Sequence, residues 1–421
     1  MLWQPSLPEA YRRLAPDDLA RAIDARRAEL GSRLVVLGHH YQTDEVVRHA
    51  DHTGDSLKLS QIAAGLATQR PPDDALEFVV FCGVHFMAES ADMLTPDRVR
   101  VILPDLSAGC SMADMAQYDD TVQAWDAMHA SLREGGWGGR IIPVTYVNSS
   151  AAIKAFVGER GGACCTSSNA REVLRWALAG GERVASPGED IRVLFLPDQH
   201  LGRNTAAKEG IDVARNSAVY DPRLARRGDE LGGMTATALA DARIILWAGH
   251  CSVHKLFRPE HCAQVRERDR AEGTSTTILV HPECAKEVVD LADLDGSTEF
   301  IIRTIRDAPA GSRWAVGTEV HLVSRLAREA APRGVDVRIL SDCQCLCTTM
   351  YRIDEPHLLW VLDNLVGSFE GRGGGKEGRP RVVNEIRVPP AVRDLALRAL
   401  DRMLALSPRT PGTALRMAQA D

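Results

Sequence analysis

Three segments of the chain end a short apolar run with a cysteine, and together they could place three thiols on one inorganic centre. Cys110 follows VILPDLSAG, Cys251 follows IILWAGH, and Cys347 closes VRILSDCQCLC. Three thiolates on one centre suit either zinc or an iron–sulfur cluster. A closed zinc site would need a fourth ligand, whereas a [4Fe–4S] cluster held by three cysteines leaves one iron open as a Lewis acid.

The third segment offers two further thiols, because Cys343 and Cys345 alternate with Cys347. In an extended segment the three side chains would face the same side, since alternate residues of a strand point the same way. We expect one of them to be a ligand and the other two to be spare thiols, which could form a redox-labile disulfide.

Several side chains that can move protons come directly after predicted strands. The candidates for acid–base chemistry are His39, Tyr41, Tyr146, His281 and Glu283. A histidine and a carboxylate two residues apart, as in HPE, can carry a proton between groups. Three other histidines that follow strands are expected to serve in packing or support: His200, His254 and His321.

Three short loops carry a hydroxyl residue where a helix is predicted to begin. The candidates for anion binding are Ser56, Ser167 and Thr298, with Asn148 and Ser149. Helix N-termini present N–H groups and a partial positive charge, so these residues could bind carboxylates or a phosphate. The alternative is that they only cap helices. Three such loops in register with three cysteines favour a small substrate with several negative charges.

The elements that must position these residues follow one α/β pattern three times. Each repeat opens with a strand that ends in polar residues (VVLGHHYQ, IIPVTYVNSS, TILVHPEC), and a helix and a hydroxyl loop follow. A second strand comes next (FCGVHFMAE, FLPDQHLG, AVGTEVHLV), and a third strand ends in cysteine. Apolar runs without alternation predict parallel strands that are buried on both faces. The alternative is that any α/β chain can be divided into three similar parts.

The pattern therefore predicts an α/β fold of three αβα units with short parallel sheets, related by a pseudo-threefold axis. Ligands bind at the carboxyl ends of parallel strands, so the active site is expected at the centre. The predicted units are residues 1–135 with the N-terminal helices, 136–270, and 271–351. Residues 352–421 are expected to form helices, Pro356–Leu365 and Ala391–Leu406, that pack back on the core, with a glycine-rich loop at 371–378.

Composition excludes several classes of protein. The 421 residues are 45% hydrophobic and 25% charged, which is typical of globular chains and not of disordered ones. The formal charge of −7 argues against nucleic-acid binding, which requires a basic surface. The sequence has no run of about 18 apolar residues and no recognisable secretion signal, so we expect no membrane association and a cytoplasmic location.

The chain resembles the quinolinate synthase A family in a series of motifs. The matching segments are GHHYQTDEV, GDSLKLS, GVHFMAESA, LPDLSAGCSMAD, YVNSSAAIKA, CTSSNA, LPDQHLGRN, HPEC, GST, GTEVHLVSRL and the CTTM that begins at Cys347. They follow one another in this order along the chain, and the resemblance covers roughly Leu34 to Leu365. Several motifs of this length in one order make the resemblance highly specific.

The resemblance implies a pseudo-threefold triangle of α/β domains around a [4Fe–4S] cluster. It implies condensation of iminoaspartate with dihydroxyacetone phosphate to quinolinate, with loss of phosphate and two waters, and L-aspartate oxidase as the functional partner. The implied cluster ligands are Cys110, Cys251 and Cys347, with Cys345 as the alternative third ligand because of the CQCLC run. The open iron would favour the last dehydration.

The resemblance also implies roles for the remaining candidates. Residues that hold the substrate carboxylates and the phosphate are His39, Ser56, Asn148, Ser167, His281 and Thr298. Tyr41 and Tyr146 would border the reacting carbons, and Glu283 would shuttle protons. Two other functions remain open: another iron–sulfur hydro-lyase, or a cysteine-based metal or redox sensor without turnover.

Overall fold

The computed structural model describes residues 4–69, 71, 75–342, 345–367 and 380–407. The predicted glycine-rich loop at 371–378 and Cys343 lie outside these residues. In the described part of the chain, no helix is long and apolar enough to cross a bilayer.

The first part of the chain contains two N-terminal helices and a βαβ series. Its strands are β1 (Leu34–His39), β2 (His52–Gly54), β3 (Phe78–Cys82) and β4 (Arg100–Ile102). Its helices are α1 (Glu9–Arg12), α2 (Pro16–Leu30), α3 (Asp44–Val47), α4 (Ser56–Gln69), α5 (His85–Leu94), α6 (Ser111–Asp114) and α7 (Tyr118–Glu134). Proline at the first position of α2 suits a helix start, and Gly31, with φ of 54°, ends it.

The second part repeats the series with one additional strand. Its strands are β5 (Arg140–Tyr146), β6 (Ala163–Cys165), β7 (Ile191–Leu196), β8 (Ser217–Tyr220) and β9 (Ile244–Trp247). Its helices are α8 (Ala151–Glu159), α9 (Ala170–Leu178), α10 (Gln199–Lys208), α11 (Val213–Asn216), α12 (Pro222–Ala225), α13 (Ala236–Asp241) and α14 (Pro259–Glu272).

The third part is the shortest, and a C-terminal part follows it. The third part contains β10 (Thr276–Val280), α15 (Lys286–Leu291), β11 (Leu294–Asp295), α16 (Thr298–Arg306), β12 (Arg313–Gly317), α17 (Val320–Ala330) and β13 (Asp336–Ile339). The C-terminal part contains α18 (Glu355–Val366), β14 (Glu385–Ile386) and α19 (Pro390–Leu406). Short 3₁₀ turns lie at Gly31–Arg33, His254–Leu256, Ala331–Arg333 and Met350–Arg352.

The three sheets share one strand order, and we call each sheet with its helices a unit. The orders are β2-β1-β3-β4, β6-β5-β7-β9 and β11-β10-β12-β13, so in every unit the first strand lies between the second and the third. All these strands pair in parallel. β1, β7 and β9 are buried along their whole length, as expected for strands covered by helices on both faces. The predicted α/β fold with three repeated αβα units is confirmed, while the exact boundaries of the units stay a prediction.

The C-terminal part packs against two different units. Apolar side chains of α18 belong to the core of the first unit, and those of α19 to a core of the second. α19 crosses α8 at Gly158, where a Cβ atom would lie 1.9 Å from the carbonyl oxygen of Leu395, so the close approach requires glycine. The segment also adds β14, an antiparallel strand beside β4, which the sequence did not predict.

Candidate active site

One cavity is lined by side chains from all three units, and we call it the central cavity. It encloses about 730 Å³ of space that no atom fills, part of which is open to solvent. Among its lining residues are twelve predicted site residues: His39, Tyr41, Ser56, Cys110, Tyr146, Asn148, Ser167, Cys251, His281, Glu283, Thr298 and Cys347. They lie together because each follows a parallel strand at its carboxyl end, or starts the helix after it.

Three thiols meet at this cavity, and each follows the fourth strand in the shared order of its unit. Burial raises the pKa of Cys110 to about 12, and the nearby Cys347 contributes to the rise. Burial and the charge of Glu283 raise the pKa of Cys251 well above its usual range. Thiols this hard to ionise are protonated unless a metal stabilises the thiolate. Three sulfur donors from three units fit either a zinc site or a [4Fe–4S] cluster with one open iron.

The loop before Cys251 reaches the cavity because a glycine permits a close approach. Gly249 forms an isolated parallel bridge with Asp198, at the end of β7. A Cβ atom at Gly249 would lie 2.2 Å from the carbonyl oxygen of Pro197. Any side chain at that position would push the cysteine loop away from the sheet.

The described cysteines of the CQCLC run lie in different places. Cys347 lines the central cavity. The Cys345 side chain is fully buried in the core beside β10 and β12, and its sulfur lies 3.1 Å from the Ser341 hydroxyl. β13 ends before this segment, so the condition of an extended strand is not met for this pair, and the expectation of one ligand with spare thiols stays a prediction.

A buried hydrogen-bonded group centres on Glu283. Its Oε2 lies 2.9 Å from Nδ1 of His254, and its Oε1 lies 3.8 Å from Nδ1 of His281. The rings of the two histidines stack with centroids 4.5 Å apart. Burial alone would raise the pKa of Glu283. The pKa nevertheless lies below the usual range of a glutamate, because the carboxylate contacts His254 and His281 and accepts a hydrogen bond from Tyr146. Burial lowers the pKa of His281 to about 3. An ionised carboxylate thus lies beside a neutral imidazole.

A second group joins the first unit to the third. The Tyr41 hydroxyl lies 3.3 Å from the Thr298 hydroxyl and 3.1 Å from the Thr318 hydroxyl. Its backbone N–H donates to Nδ1 of His39, over 3.1 Å. Burial raises the pKa of Tyr41 and lowers that of His39 to about 3, so both side chains are neutral near pH 7. Because Nδ1 of His39 accepts this hydrogen bond, the neutral ring carries its proton on Nε2.

Two of the three predicted hydroxyl residues stand at helix N-termini, and the third lies in the loop before its helix. Ser56 and Thr298 are the first residues of α4 and α16, and Ser167 lies shortly before α9. Ser149 differs because it does not line the cavity. Its buried hydroxyl donates to the carbonyl oxygen of Tyr146 and accepts from Thr145, so it fixes the turn that carries Asn148.

The chain matches the family model described as "Quinolinate synthetase A protein" over residues 21–405. Similar proteins include the quinolinate synthases of Acidobacterium capsulatum, 49% identical over 94% of this chain and 95% of the relative, and of Bacillus subtilis, 46% identical over 95% and 96%. The quinolinate synthase of Streptomyces coelicolor is 48% identical over 93% of this chain and 89% of the relative. The chain belongs to the quinolinate synthetase A family.

One residue at the site of this quinolinate synthetase A family member was not predicted to have a functional role. His254 was expected to serve in packing or support, but it lines the central cavity. Cys251, His254 and Glu283 each offer a ligand atom within 4.8 Å of the others, so this trio could hold a single metal ion. The spacing Cys-x-x-His was the signal in the sequence. His200 and His321 lie outside the cavity lining, as expected for supporting residues.

Proposed function

We propose that this chain is a quinolinate synthase. It condenses iminoaspartate with dihydroxyacetone phosphate, releases phosphate and two waters, and forms quinolinate, a reaction of the transferase class. The names of its relatives support this activity. The single observation that carries it is the convergence of three thiols, an acid–base group and three hydroxyl residues, two of them at helix starts, on one cavity.

The substrate-binding part of the proposal uses donors from all three units. The groups that hold the carboxylates and the phosphate are Ser56 and Thr298 at helix starts and Ser167 in the loop before α9, with His39, Asn148 and His281. Helix N-termini bind anions through N–H groups and the helix dipole. A neutral His39 and a neutral His281 donate or accept one hydrogen bond each. The net charge of the chain is negative, so this local dipole field supplies the attraction for the anions.

The proton-transfer part of the proposal rests on Glu283. The ionised carboxylate takes a proton from a substrate carbon and returns it to a leaving hydroxyl. His254 orients the carboxylate by donating from Nδ1, and Tyr146 donates its hydroxyl proton to it. Tyr41 borders the reacting carbons on the side of the first unit and excludes water there.

The thiols of Cys110, Cys251 and Cys347 would hold a [4Fe–4S] cluster. When bound, such a cluster with one open iron supplies a Lewis acid for loss of the substrate hydroxyl. We further infer that the chain works in the cytoplasm, and that L-aspartate oxidase supplies its iminoaspartate.

An anaerobic assay tests the proposal. Purified protein reconstituted with iron and sulfide is expected to be brown, to absorb broadly near 400 nm, and to form quinolinate from the two substrates. Cys251→Ser is expected to lose both colour and product, because one ligand is gone. The matched control is Cys262→Ser, since Cys262 is buried in a core and does not line the cavity.

Two results would favour another function. A coloured protein that forms no quinolinate would indicate another iron–sulfur hydro-lyase. A colourless protein that retains zinc would point to single-metal binding by the trio of Cys251, His254 and Glu283, and hence to a metal or redox sensor.

A further inference from the structure

The three units are linked by equivalent polar side chains that the proposed chemistry does not use. In each unit, the helix after the third strand in the shared strand order (α5, α10, α17) carries a polar residue one turn after a histidine. These residues are Glu89, Asn204 and Arg325, each four positions after His85, His200 and His321. All three lie outside the lining of the central cavity.

Asn204 makes the most buried of these contacts. Its side chain belongs to the second unit, is 3% exposed, and donates both protons of Nδ2 to the third unit. The acceptors are the carbonyl oxygens of Pro282, at 2.9 Å, and Cys284, at 2.8 Å. These two carbonyl groups flank Glu283, so Asn204 holds the backbone on both sides of it.

Arg325 and Glu89 also form hydrogen bonds with the backbone of a neighbouring unit. Arg325 of the third unit donates to the carbonyl oxygens of His40, at 3.0 Å, and Gln42, at 2.7 Å, on both sides of Tyr41 in the first unit. Glu89 of the first unit accepts from the N–H of Ala151, at 2.9 Å, in the second unit. The contacts therefore run from the first unit to the second, from the second to the third, and from the third back to the first.

We propose that Glu89, Asn204 and Arg325 form a cyclic set of positioning residues. Asn204 and Arg325 fix the loop after the first strand of the next unit, and Glu89 fixes the first residue of the helix that follows that loop. In or directly before these loops lie candidates for acid–base chemistry or anion binding: His39 and Tyr41, Tyr146 with Asn148, and His281 with Glu283. The inference that this placement serves catalysis rests on the proposed function, whereas the cyclic contact itself does not.

The chemistry of each residue suits the backbone group that it meets. Asn204 and Arg325 meet carbonyl oxygens and offer two N–H donors each, so each can hold two peptide groups at once. Glu89 meets an N–H group and offers a carboxylate acceptor. Loss of any of these side chains would leave a partly buried backbone group without its partner, and the loop would shift to find another.

Hydrogen exchange on the full chain with its cluster tests the proposal. Asn204→Ala is expected to speed exchange at least tenfold at Glu283 and Cys284, whose N–H groups bond to His281, and to leave the first unit unchanged. Arg325→Ala is expected to speed exchange at His40 and Gln42 instead. The matched control is Asn364→Ala, because Asn364 is equally buried in α18 and contacts none of the three loops.

The proposal requires that each substitution speeds hydrogen exchange in the loop that the lost side chain contacted, and not in the other units. If Asn204→Ala leaves exchange in its neighbouring loop unchanged, or if Asn364→Ala speeds it equally, the proposal is wrong. Should Asn204→Ala not fold, Asn204→Asp keeps the volume and removes the donors, and the same exchange result is expected. With equal iron content, kcat is expected to fall tenfold or more while KM changes less. A wild-type chain that makes no quinolinate would refute the proposed function and leave the exchange result standing.

Discussion

The substitution Glu283→Gln separates proton transfer from cluster binding. Glutamine keeps the size and the planar head of glutamate but removes its negative charge and its proton affinity. The His254 Nδ1–H, 2.9 Å from Oε2, loses a charged acceptor, and so does the Tyr146 hydroxyl. None of the three proposed cluster ligands is changed.

The expected magnitude follows from these contacts. Loss of a positioned general base costs on the order of 10²–10⁴ in rate, which is about 3–5 kcal/mol of transition-state stabilisation. Hydrogen bonds to a charged group contribute about 1.5–3 kcal/mol, and glutamine retains part of that. We therefore expect kcat to fall at least about 100-fold, and we expect the protein to remain folded with its iron.

The assay measures quinolinate formation, iron content and the absorbance near 400 nm on the same anaerobic sample. Glu355→Gln is a matched control, because Glu355 is buried, lies 2.9 Å from Nε2 of His49, and does not line the central cavity. The Glu355→Gln variant is expected to be less stable than the wild type but to form quinolinate at the wild-type rate once folded. If Glu283→Gln loses its iron, Glu283 is a metal ligand, and its role in proton transfer is wrong.

Two further predictions concern the third thiol and the edge of the site. Cys347→Ser is expected to abolish the cluster, whereas Cys345→Ser is expected to retain its colour and lose only packing stability; iron analysis of both checks this, and the reverse result would assign the ligand to Cys345. The hydrogen bond with His40 lowers the pKa of Glu299 to about 2 in the folded protein. The ionised carboxylate therefore stabilises the folded state fully above the pKa of an unfolded glutamate, about 4.3, and this contribution is lost as the pH falls towards 2. In urea unfolding, the difference in midpoint between wild type and Glu299→Gln is therefore expected to shrink between about pH 5 and pH 3, and a difference that does not depend on pH would contradict the assignment.

Much of the fold could be predicted because parallel strands leave two strong signals. β1 and β3 appear in the sequence as short apolar runs without alternation, and polar residues follow at their carboxyl ends. The position of Cys110 and His281 at the central cavity could be predicted for the same reason, since the carboxyl end of a parallel strand is where ligands bind. One rule therefore predicted both the sheets and the residues that would meet.

Other features depend on contacts that local sequence does not contain. Ser149 looked like a donor for an anion, but its hydroxyl is used by Thr145 and Tyr146 within the same turn. Cys345 looked equivalent to Cys347, but the segment is not a strand and its side chains do not alternate between two faces. β14 has two residues and pairs with β4 from a distant part of the chain, so neither length nor periodicity could indicate it.

The cyclic arrangement explains why the three units need one another. At the central cavity a single unit offers one of the three thiols, one loop after its first strand and one of the three hydroxyl residues, which is too little for the proposed binding of two substrates and a cluster. Since Asn204 and Arg325 bond to the backbone of neighbouring units, the positions of Glu283 and Tyr41 depend on packing between units as well as within them. A substitution of Asn204 or Arg325 should therefore change hydrogen exchange first at the site residues of the next unit. An effect in that direction would indicate a closed ring of contacts, whereas three units that only share a cavity would not show it.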